Sequence, residues 1–222
     1  MSITVVDAAP NTRLTTIEAV KRNLGITDAD QDEPIEDMIQ QNSDFITSYT
    51  SRVFARQNVT ESFIGKGLPN VELSITPIIS ISELKLKEAI VTSENFTIND
   101  AEAGILQIET GFTSTELAWN TIDRAVSPYG VKDWSCTYIG GYTLPSWQTT
   151  GIPRDLPYDL ERACIEMTKS TFHNASLDGS IKTYKIGDTS VTWDKSSSAS
   201  GVNNAGIPTV AANILDYYRR AF

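Results

Sequence analysis

The sequence has little of what catalysis and metal binding usually require. Its 222 residues include one histidine, His173, and two cysteines, Cys136 and Cys164. A lone histidine near the end of a predicted helix is typical of a residue that compensates the helix dipole. Two cysteines so far apart form neither a CxxC motif nor a disulfide framework, and we expect both thiols to be buried. These scarcities weigh against redox and cysteine-nucleophile chemistry.

Long apolar runs and catalytic signatures are also missing from the sequence. No run approaches the roughly 18 apolar residues that span a bilayer. The first residues, MSITVVDAAPNTR, lack the basic and apolar regions of a signal peptide. No G-x-S-x-G elbow, phosphate-binding loop or dinucleotide-binding motif occurs. We therefore expect neither an enzyme nor a cofactor, and no association with a membrane.

The best candidate for a metal site is the acidic run of Asp28, Asp30 and Asp32. Its spacing matches the opening of a calcium-binding loop. The sixth position is Glu33 rather than glycine, however, and the twelfth is Ile39 rather than glutamate. We interpret the run as an acidic start to a helix, where the helix dipole favours negative charge, and expect no metal.

Positive charge is scarce relative to negative charge. Lysine and arginine number 18 against 28 aspartates and glutamates, which gives a net charge of −10. This balance is the opposite of what a protein needs to grip nucleic acid or anionic lipid. Hydrophobic residues make up 40% and charged residues 21%, which is typical of a globular chain with a buried core.

Helical patterns at both ends of the chain flank a β-rich middle. Helices are predicted at 16–24, 33–52, 158–173 and 208–220, the first with a capping box formed by Thr15 and Glu18 and a stop at Gly25. Alternating patterns predict strands at 60–64, 71–76, 79–86, 95–98, 105–109 and 132–139, and a late hairpin at 182–186 and 190–193.

Helices and strands do not alternate along the chain, so the predicted class is α+β. Residues 1–58 and 152–222 are expected to form a small helical bundle with a C-terminal arm. Residues 59–151 are expected to form a β-rich insertion between the second and third helices. The late hairpin and a C-terminal helix complete the predicted fold.

Four tryptophans leave a second interpretation open, because indole faces stack on sugars. Trp119, Trp134, Trp147 and Trp193 would suit a β-sandwich module of a virion or cell surface that binds carbohydrate. The alternative is that these side chains simply pack in a core. Trp147, in the predicted loop 143–151, is expected to be the most exposed.

A set of short segments also follows the order found in one known family. They are LTTIEAVK at 14–21, the helix 35–49 followed by TSR, PIISISEL at 77–84, NFTI at 95–98, GIL at 104–106, WSCTYIGGY at 134–142, IPRDL at 152–156, IGDTSV at 186–191, IP at 207–208 and LDYYRR at 215–220. Together they resemble the head–tail connector proteins of long-tailed bacteriophages, also called adaptor or head-completion proteins. Two departures are Ser51, where glycine is common, and Pro157, which adds a second proline start to the third helix.

The resemblance implies a structural virion protein. Such proteins form a ring, usually dodecameric, beneath the portal of the capsid filled by genome packaging. The ring extends the DNA channel and offers a platform for the stopper or tail. The implied partners are the portal protein, a stopper or tail-completion protein and further copies of the chain. DNA would pass without specific binding, which agrees with a charge of −10. The implied location is the head–tail interface of the virion, after assembly in the bacterial cytoplasm.

The end of the predicted terminal helix is the candidate portal-binding site. The Ser/Gly/Asn-rich segment 195–204 is expected to be mobile and to form an assembly arm with this helix. Alternatively, the helix packs on its own bundle through a stripe of Val210, Ile214, Leu215 and Tyr218. Aromatic and arginine side chains are enriched in interface hot spots. The candidate residues are Leu215, Tyr217, Tyr218, Arg219, Arg220 and Phe222.

Overall fold

The computed structural model describes residues 2–112, 134–148, 151–176, 183–186, 189–192 and 207–220. It divides into two compact units. One comprises residues 1–11 and 53–142, and the other comprises residues 12–52 and 143–222. Helices and antiparallel sheets occupy separate stretches of the chain, which confirms the predicted α+β class. Residues 1–11, which the sequence analysis assigns to the helical bundle, cluster with the sheets.

The second unit is built from helices. They are α1 (Ile17–Leu24), α2 (Asp32–Thr50), α3 (Tyr158–Ser176) and α4 (Thr209–Tyr218). Each coincides with a predicted helix to within a few residues. Val20, Ile35 and Ile39 form a fully buried cluster between α1 and α2, and Ile165 and Phe172 of α3 pack against it. The 3.6-residue spacing of these apolar positions is what brings them to one face of each helix.

The start of α1 differs from the prediction in one respect. The N-cap is Thr16, whose hydroxyl accepts a hydrogen bond from the Ala19 N–H at 3.3 Å. Thr15, the predicted cap, is fully buried and donates its hydroxyl to Glu161 at 3.2 Å. Tertiary burial of Thr15 therefore moves the cap by one residue. Gly25 ends the helix with a φ of 73°, as expected for a glycine stop.

The first unit contains two sheets. Its strands are β1 (Ser2–Asp7), β2 (Gln57–Phe63), β3 (Asn70–Glu72), β4 (Ile78–Leu86), β5 (Ala89–Ile90), β6 (Phe96–Asp100), β7 (Ile105–Ile108) and β8 (Trp134–Gly140). Five of them form an antiparallel sheet in the order β1-β2-β8-β4-β5, and three form a sheet in the order β3-β7-β6. In the second unit, β9 (Thr183–Ile186) and β10 (Thr189–Thr192) form the predicted late hairpin.

The predicted strands agree with the structure where apolar and polar residues alternate along a strand that buries one face. β8 shows the alternation over its whole length, and in β2 Val59, Glu61 and Phe63 point to the core while the residues between them do not. The predicted strand 71–76 is shorter than expected, since β3 ends at Glu72 and the chain then turns. β1 and the two-residue β5 are not predicted. β1 has no buried face: all six of its residues are exposed.

The core of the first unit includes one buried carboxyl group. Glu61 is fully buried and accepts hydrogen bonds from the Ser74 N–H at 2.9 Å, the Ser74 hydroxyl at 2.5 Å and the Tyr138 hydroxyl at 2.9 Å. The Tyr138 oxygen in turn accepts from the Ile75 N–H at 3.0 Å. A buried polar group is tolerated when it is hydrogen-bonded in this way. The network fixes the 73–76 turn onto the five-stranded sheet.

Both cysteines are buried, as predicted. Cys136 lies on the core face of β8 and Cys164 in the middle of α3, each with no exposed surface. Burial raises the pKa of Cys136 to about 12 and that of Cys164 to about 11. Thiols held so far from ionisation are packing residues rather than nucleophiles.

Candidate functional site

Helix α4 packs on α2 and α3 of its own unit. Its buried residues are Ala211, Ala212 and Leu215, and Ile207 just before the helix is also buried. The two alanines allow a close approach between helices, so the buried face differs from the predicted stripe. Val210 is 47% exposed, and Ile214 and Tyr218 are only partly buried. The terminal helix is thus part of the bundle in the isolated chain.

This packing divides the candidate portal-binding residues into two groups. The side chain of Leu215 is fully buried and supports α4. Tyr217 is 83% exposed, and Arg219 is also exposed. Phe222 and the segment 195–204 lie outside the described residues. In this conformation, the surface available to a partner is formed by Tyr217 and Arg219, together with the outer parts of Tyr218 and Arg220.

The exposed residues are held in place by the end of α2. The Tyr49 hydroxyl donates a hydrogen bond to Asp216 at 2.6 Å. The guanidinium carbon of Arg219 lies 5.6 Å from the centre of the Tyr49 ring, a cation–π arrangement. The hydrogen bond to Asp216 and partial burial raise the pKa of Tyr49, and the charge of Arg219 acts in the opposite direction. Phe45 also stacks on Tyr49, with ring centres 5.9 Å apart.

The backbone after α4 also contacts α2. The Arg220 N–H donates to the Thr50 carbonyl at 3.0 Å. Thr50 is the last residue of α2, where carbonyl groups have no partner within the helix. This bond satisfies one of them and fixes the path of the chain beyond α4. The backbone is therefore held against α2 as far as residue 220.

The start of α3 provides a third anchor. The Tyr218 hydroxyl lies 2.8 and 3.0 Å from the two carboxylate oxygens of Asp159. The Tyr217 ring meets the Tyr218 ring edge-on, with centres 5.3 Å apart. Tyr217 therefore lies against a ring that is held in place by a hydrogen bond, while most of its own side chain is exposed to solvent. We call the five residues Phe45, Tyr49, Tyr217, Tyr218 and Arg219 the terminal aromatic surface.

Sequence reasoning missed part of this surface. Phe45 and Tyr49 lie within the predicted second helix but have no assigned role there, Asp216 appears only within the segment LDYYRR, and Asp159 is not singled out. One feature of the sequence could have indicated this role. Tyr49 is near the end of α2, where a long aromatic side chain can extend beyond the helix. Its pairing with Asp216 joins residues 167 apart in sequence, which no local pattern encodes.

The alternative interpretation as a carbohydrate-binding module needs exposed indole rings. Trp134 is only 4% exposed and packs edge-on against Phe112 with ring centres 5.0 Å apart. Trp147 lies in a short 3-10 turn and is half-buried, so it is more exposed than Trp134, the other tryptophan that the structure describes. Trp119 and Trp193 lie outside the described residues. Of the two tryptophans that the structure describes, one is buried and the other half-buried, which weighs against a role in stacking on sugars.

One residue of the acidic run, Asp32 at the start of α2, pairs with a lysine. Asp32 accepts a hydrogen bond from the Lys21 ammonium at 2.6 Å. Among the residues that the structure describes, no group of three or more His, Cys, Asp or Glu side chains is placed to hold a metal ion. None of the helices in that part of the chain combines the length and apolar character needed to cross a bilayer.

Comparisons with solved structures identify the fold. The chain resembles proteins in the neck of the native gene transfer agent (GTA) particle, computed with C12 symmetry (TM-score 0.56, 13% identity), and in the neck of the empty particle, computed with C6 symmetry (TM-score 0.58, 14% identity). A chain in the virion of the native particle gives a TM-score of 0.57 at 15% identity. Each alignment covers 100% of this chain and 97% of the other.

The sequence comparison is consistent with the structural one. No curated protein matches the chain. The model of one family does match, over residues 14–105, and that family is described as phage gp6-like head-tail connector protein. The matched segment includes α1, α2 and β2 to β6. Residues 14–105 therefore carry the sequence pattern of the phage gp6-like head-tail connectors, which confirms the resemblance indicated by the sequence.

Proposed function

We propose that the protein is a structural head–tail connector that assembles as a ring in the neck of a phage-like particle. The observation that carries this proposal is the family match over residues 14–105. It is supported by a likeness to neck proteins that extends over 100% of the chain.

The ring is proposed to lie beneath the portal, with DNA passing through its centre. Proteins of this fold occur in necks that were computed with C12 symmetry in the native particle and C6 symmetry in the empty one. The C12 symmetry supports a ring of twelve copies. A net charge of −10 per chain repels phosphate groups, so DNA would slide rather than bind. The opposite face of the ring would receive the stopper or tail-completion protein. The protein would thus reside in the virion, after assembly in the host cytoplasm.

The terminal aromatic surface is proposed to contact the portal. It combines an 83% exposed tyrosine with an exposed arginine, and hydrogen bonds to α2 and α3 hold their neighbours Asp216 and Tyr218 in place. A preorganised aromatic and arginine surface loses little conformational entropy on binding. These are the features of an interface hot spot rather than of a loose arm.

Substitution of Tyr217 tests the portal contact. We expect Tyr217→Ala to weaken binding to the portal at least tenfold, in a titration of purified portal rings followed by light scattering. Asn213→Ala is the matched control, because Asn213 is also exposed on α4 but carries neither an aromatic ring nor a charge. Equal affinity of the two variants would contradict the assignment of this surface.

A point substitution tests binding more cleanly than a deletion. Removing residues 208–222 would also remove Leu215, Ala211 and Ala212 from the core of the helical unit. The deletion would expose the faces of α2 and α3 that α4 covers, so loss of portal binding would follow from unfolding alone. Tyr217 contributes little buried surface, and its removal leaves that core intact.

A further inference from the structure

Strand β1 lies at the edge of the five-stranded sheet without the protection that edge strands usually have. All six of its residues are exposed, including Ile3 at 44%, Val5 at 49% and Val6 at 59%. Natural edge strands are commonly guarded by lysine, proline or an inward-pointing charge. The sequence of β1, SITVVD, contains neither lysine nor proline, and its only charge is Asp7 at the end.

The apolar side chains of β1 extend the core face of the sheet. Val5 pairs with Val59 and Ile3 pairs with Glu61, and both partners are fully buried. Directly paired residues of antiparallel strands lie on the same face. Ile3 and Val5 therefore lie on the core side, where no side chain in the described part of the chain buries them.

The opposite edge of the same sheet is also open along part of β4. β4 pairs with β8 along its length, but it pairs with β5 only at Lys85 and Leu86. Within the residues that the structure describes, 79–83 have no strand on their outer side. Ile81 pairs with the buried Tyr138 and so lies on the core face, like Ile3 and Val5.

The strand directions make these two edges complementary. Each neighbouring pair in the sheet is antiparallel, so β1 and β8 run in one direction and β2 and β4 in the other. A second copy placed beside β4 in the same orientation would present its β1 antiparallel to β4. Such a contact joins two different surfaces, and repeated contacts of this kind generate a ring when the rotation closes.

The side-chain pattern indicates a register for this pairing. Val5 opposite Ile81 would continue the apolar face from one copy to the next, and the pairing would stop before Leu84, whose carbonyl already accepts from the Val91 N–H at 2.8 Å. The register shift of β4 between Ile81 and Glu83 leaves Ser82 as an extra residue. Thr4 would then lie opposite Glu83 on the other face of the sheet.

We propose that β1 of one copy pairs with residues 79–83 of β4 in the adjacent copy, so that the five-stranded sheet continues around the ring. This inference rests on the proposed function, because it requires a ring of identical chains. The partner of β1 would be the unpaired backbone edge of β4 in a second copy of the chain.

Disulfide cross-linking tests the contact in rings assembled on the portal. In the variant Thr4→Cys with Glu83→Cys, directly opposed residues of an antiparallel pair have Cα atoms about 4.5–5.5 Å apart, a separation that a disulfide spans. Mild oxidation should give a ladder of covalent multimers on a non-reducing gel. The native cysteines are buried and should not contribute.

The control variant combines Thr4→Cys with Ser48→Cys, which places the second thiol on an exposed position of α2. It should give no ladder, and Thr4→Cys alone should give no dimer. Three results would overturn the inference: no ladder from rings visible by electron microscopy, an equal ladder from the control, or dimers from Thr4→Cys alone. The first leaves the proposed function intact, whereas failure of the unsubstituted chain to form rings overturns both.

A second variant tests the same contact without new thiols. Val5→Lys places a charge on the apolar side of the edge, where it opposes strand addition. We expect loss of ring assembly while the melting temperature of the monomer stays unchanged, because Val5 is 49% exposed in the isolated chain. Val5→Thr keeps the β-branched shape and should still form rings. Full ring assembly by Val5→Lys would contradict the proposed contact.

Discussion

Ser51 ends α2 in a backbone conformation that favours glycine. Its φ is 53° and its ψ is 34°, in the left-handed region. A side chain in this region costs about 1 kcal/mol relative to glycine. The sequence resemblance already marks Ser51 as a departure from a common glycine, and the φ angle supplies the physical reason for that preference.

We therefore expect Ser51→Gly to raise the free energy of unfolding by about 0.5–1 kcal/mol, net of the added freedom of the unfolded chain. Urea unfolding followed by circular dichroism measures the change. Ser48→Gly is the matched control, since the same substitution inside α2 should lower the free energy of unfolding by about 0.5–1 kcal/mol. A loss of stability in Ser51→Gly would show that the left-handed cap is not strained.

The buried thiols predict a loss of stability at alkaline pH. Burial raises the pKa of Cys164 from about 9.0 to about 11 and that of Cys136 to about 12. The native state keeps these protons at a pH where the unfolded chain releases them. The stability that each thiol contributes is therefore complete below about pH 9 and is lost as the pH rises through about 11 for Cys164 and about 12 for Cys136.

Cys164→Ala should reduce this dependence on pH. Between pH 9.5 and 10.5 the free energy of unfolding should fall less steeply than in the unsubstituted protein, by about 1 kcal/mol over that interval. Unfolding curves in urea at the two pH values measure the difference. Parallel losses of stability in both proteins would indicate that Cys164 titrates normally in the native state.

At the scale of secondary-structure elements, α4 depends on Leu215 for stability and on Tyr217 for its exposed surface. Leu215→Ala should lower the free energy of unfolding by about 2–5 kcal/mol, the range for a buried leucine. Tyr217→Ala should change it by less than about 0.5 kcal/mol, because the ring is 83% exposed. Thermal unfolding of the two variants measures both effects. A large loss in Tyr217→Ala would contradict its assignment as a free contact residue.

The elements predicted from the sequence are those that bury one face in the core of their own unit, because that burial sets the spacing of their apolar residues. α1 to α4 and the longer strands show apolar positions at helical or alternating spacing, and most of them were predicted to within a few residues. β1 lacks such a pattern because neither of its faces is buried, and its pairing with β2 spans more than 50 residues. Its existence therefore depends on backbone pairing that local sequence does not encode.

The candidate site was predictable in composition but not in geometry. The cluster of tyrosine and arginine at 217–220 indicates an interface from residue types alone. The stripe placed on α4 was partly wrong, because Ala211 and Ala212 are buried, whereas Val210 is exposed and Ile214 is only partly buried. The partners that fix the surface, Tyr49 and Asp159, come from distant helices. Only the folded chain brings them together.

At the scale of the whole molecule, the acidic charge predicts weak interaction with DNA. With a net charge of −10, the chain releases no large set of counterions from phosphate groups and gains little electrostatic affinity. We expect no retardation of duplex DNA in a gel-shift experiment at about 50 mM salt, with a basic DNA-binding protein as the positive control. Strong retardation would contradict a channel through which DNA slides.

Electron microscopy of a mixture with the portal would show whether the protein is a ring-forming connector. The purified chain would be mixed with the intact portal of the same particle, and the product imaged. We expect a closed ring stacked coaxially on the portal, with the terminal aromatic surface at the contact. Absence of any association with a demonstrably intact portal would contradict the proposed function.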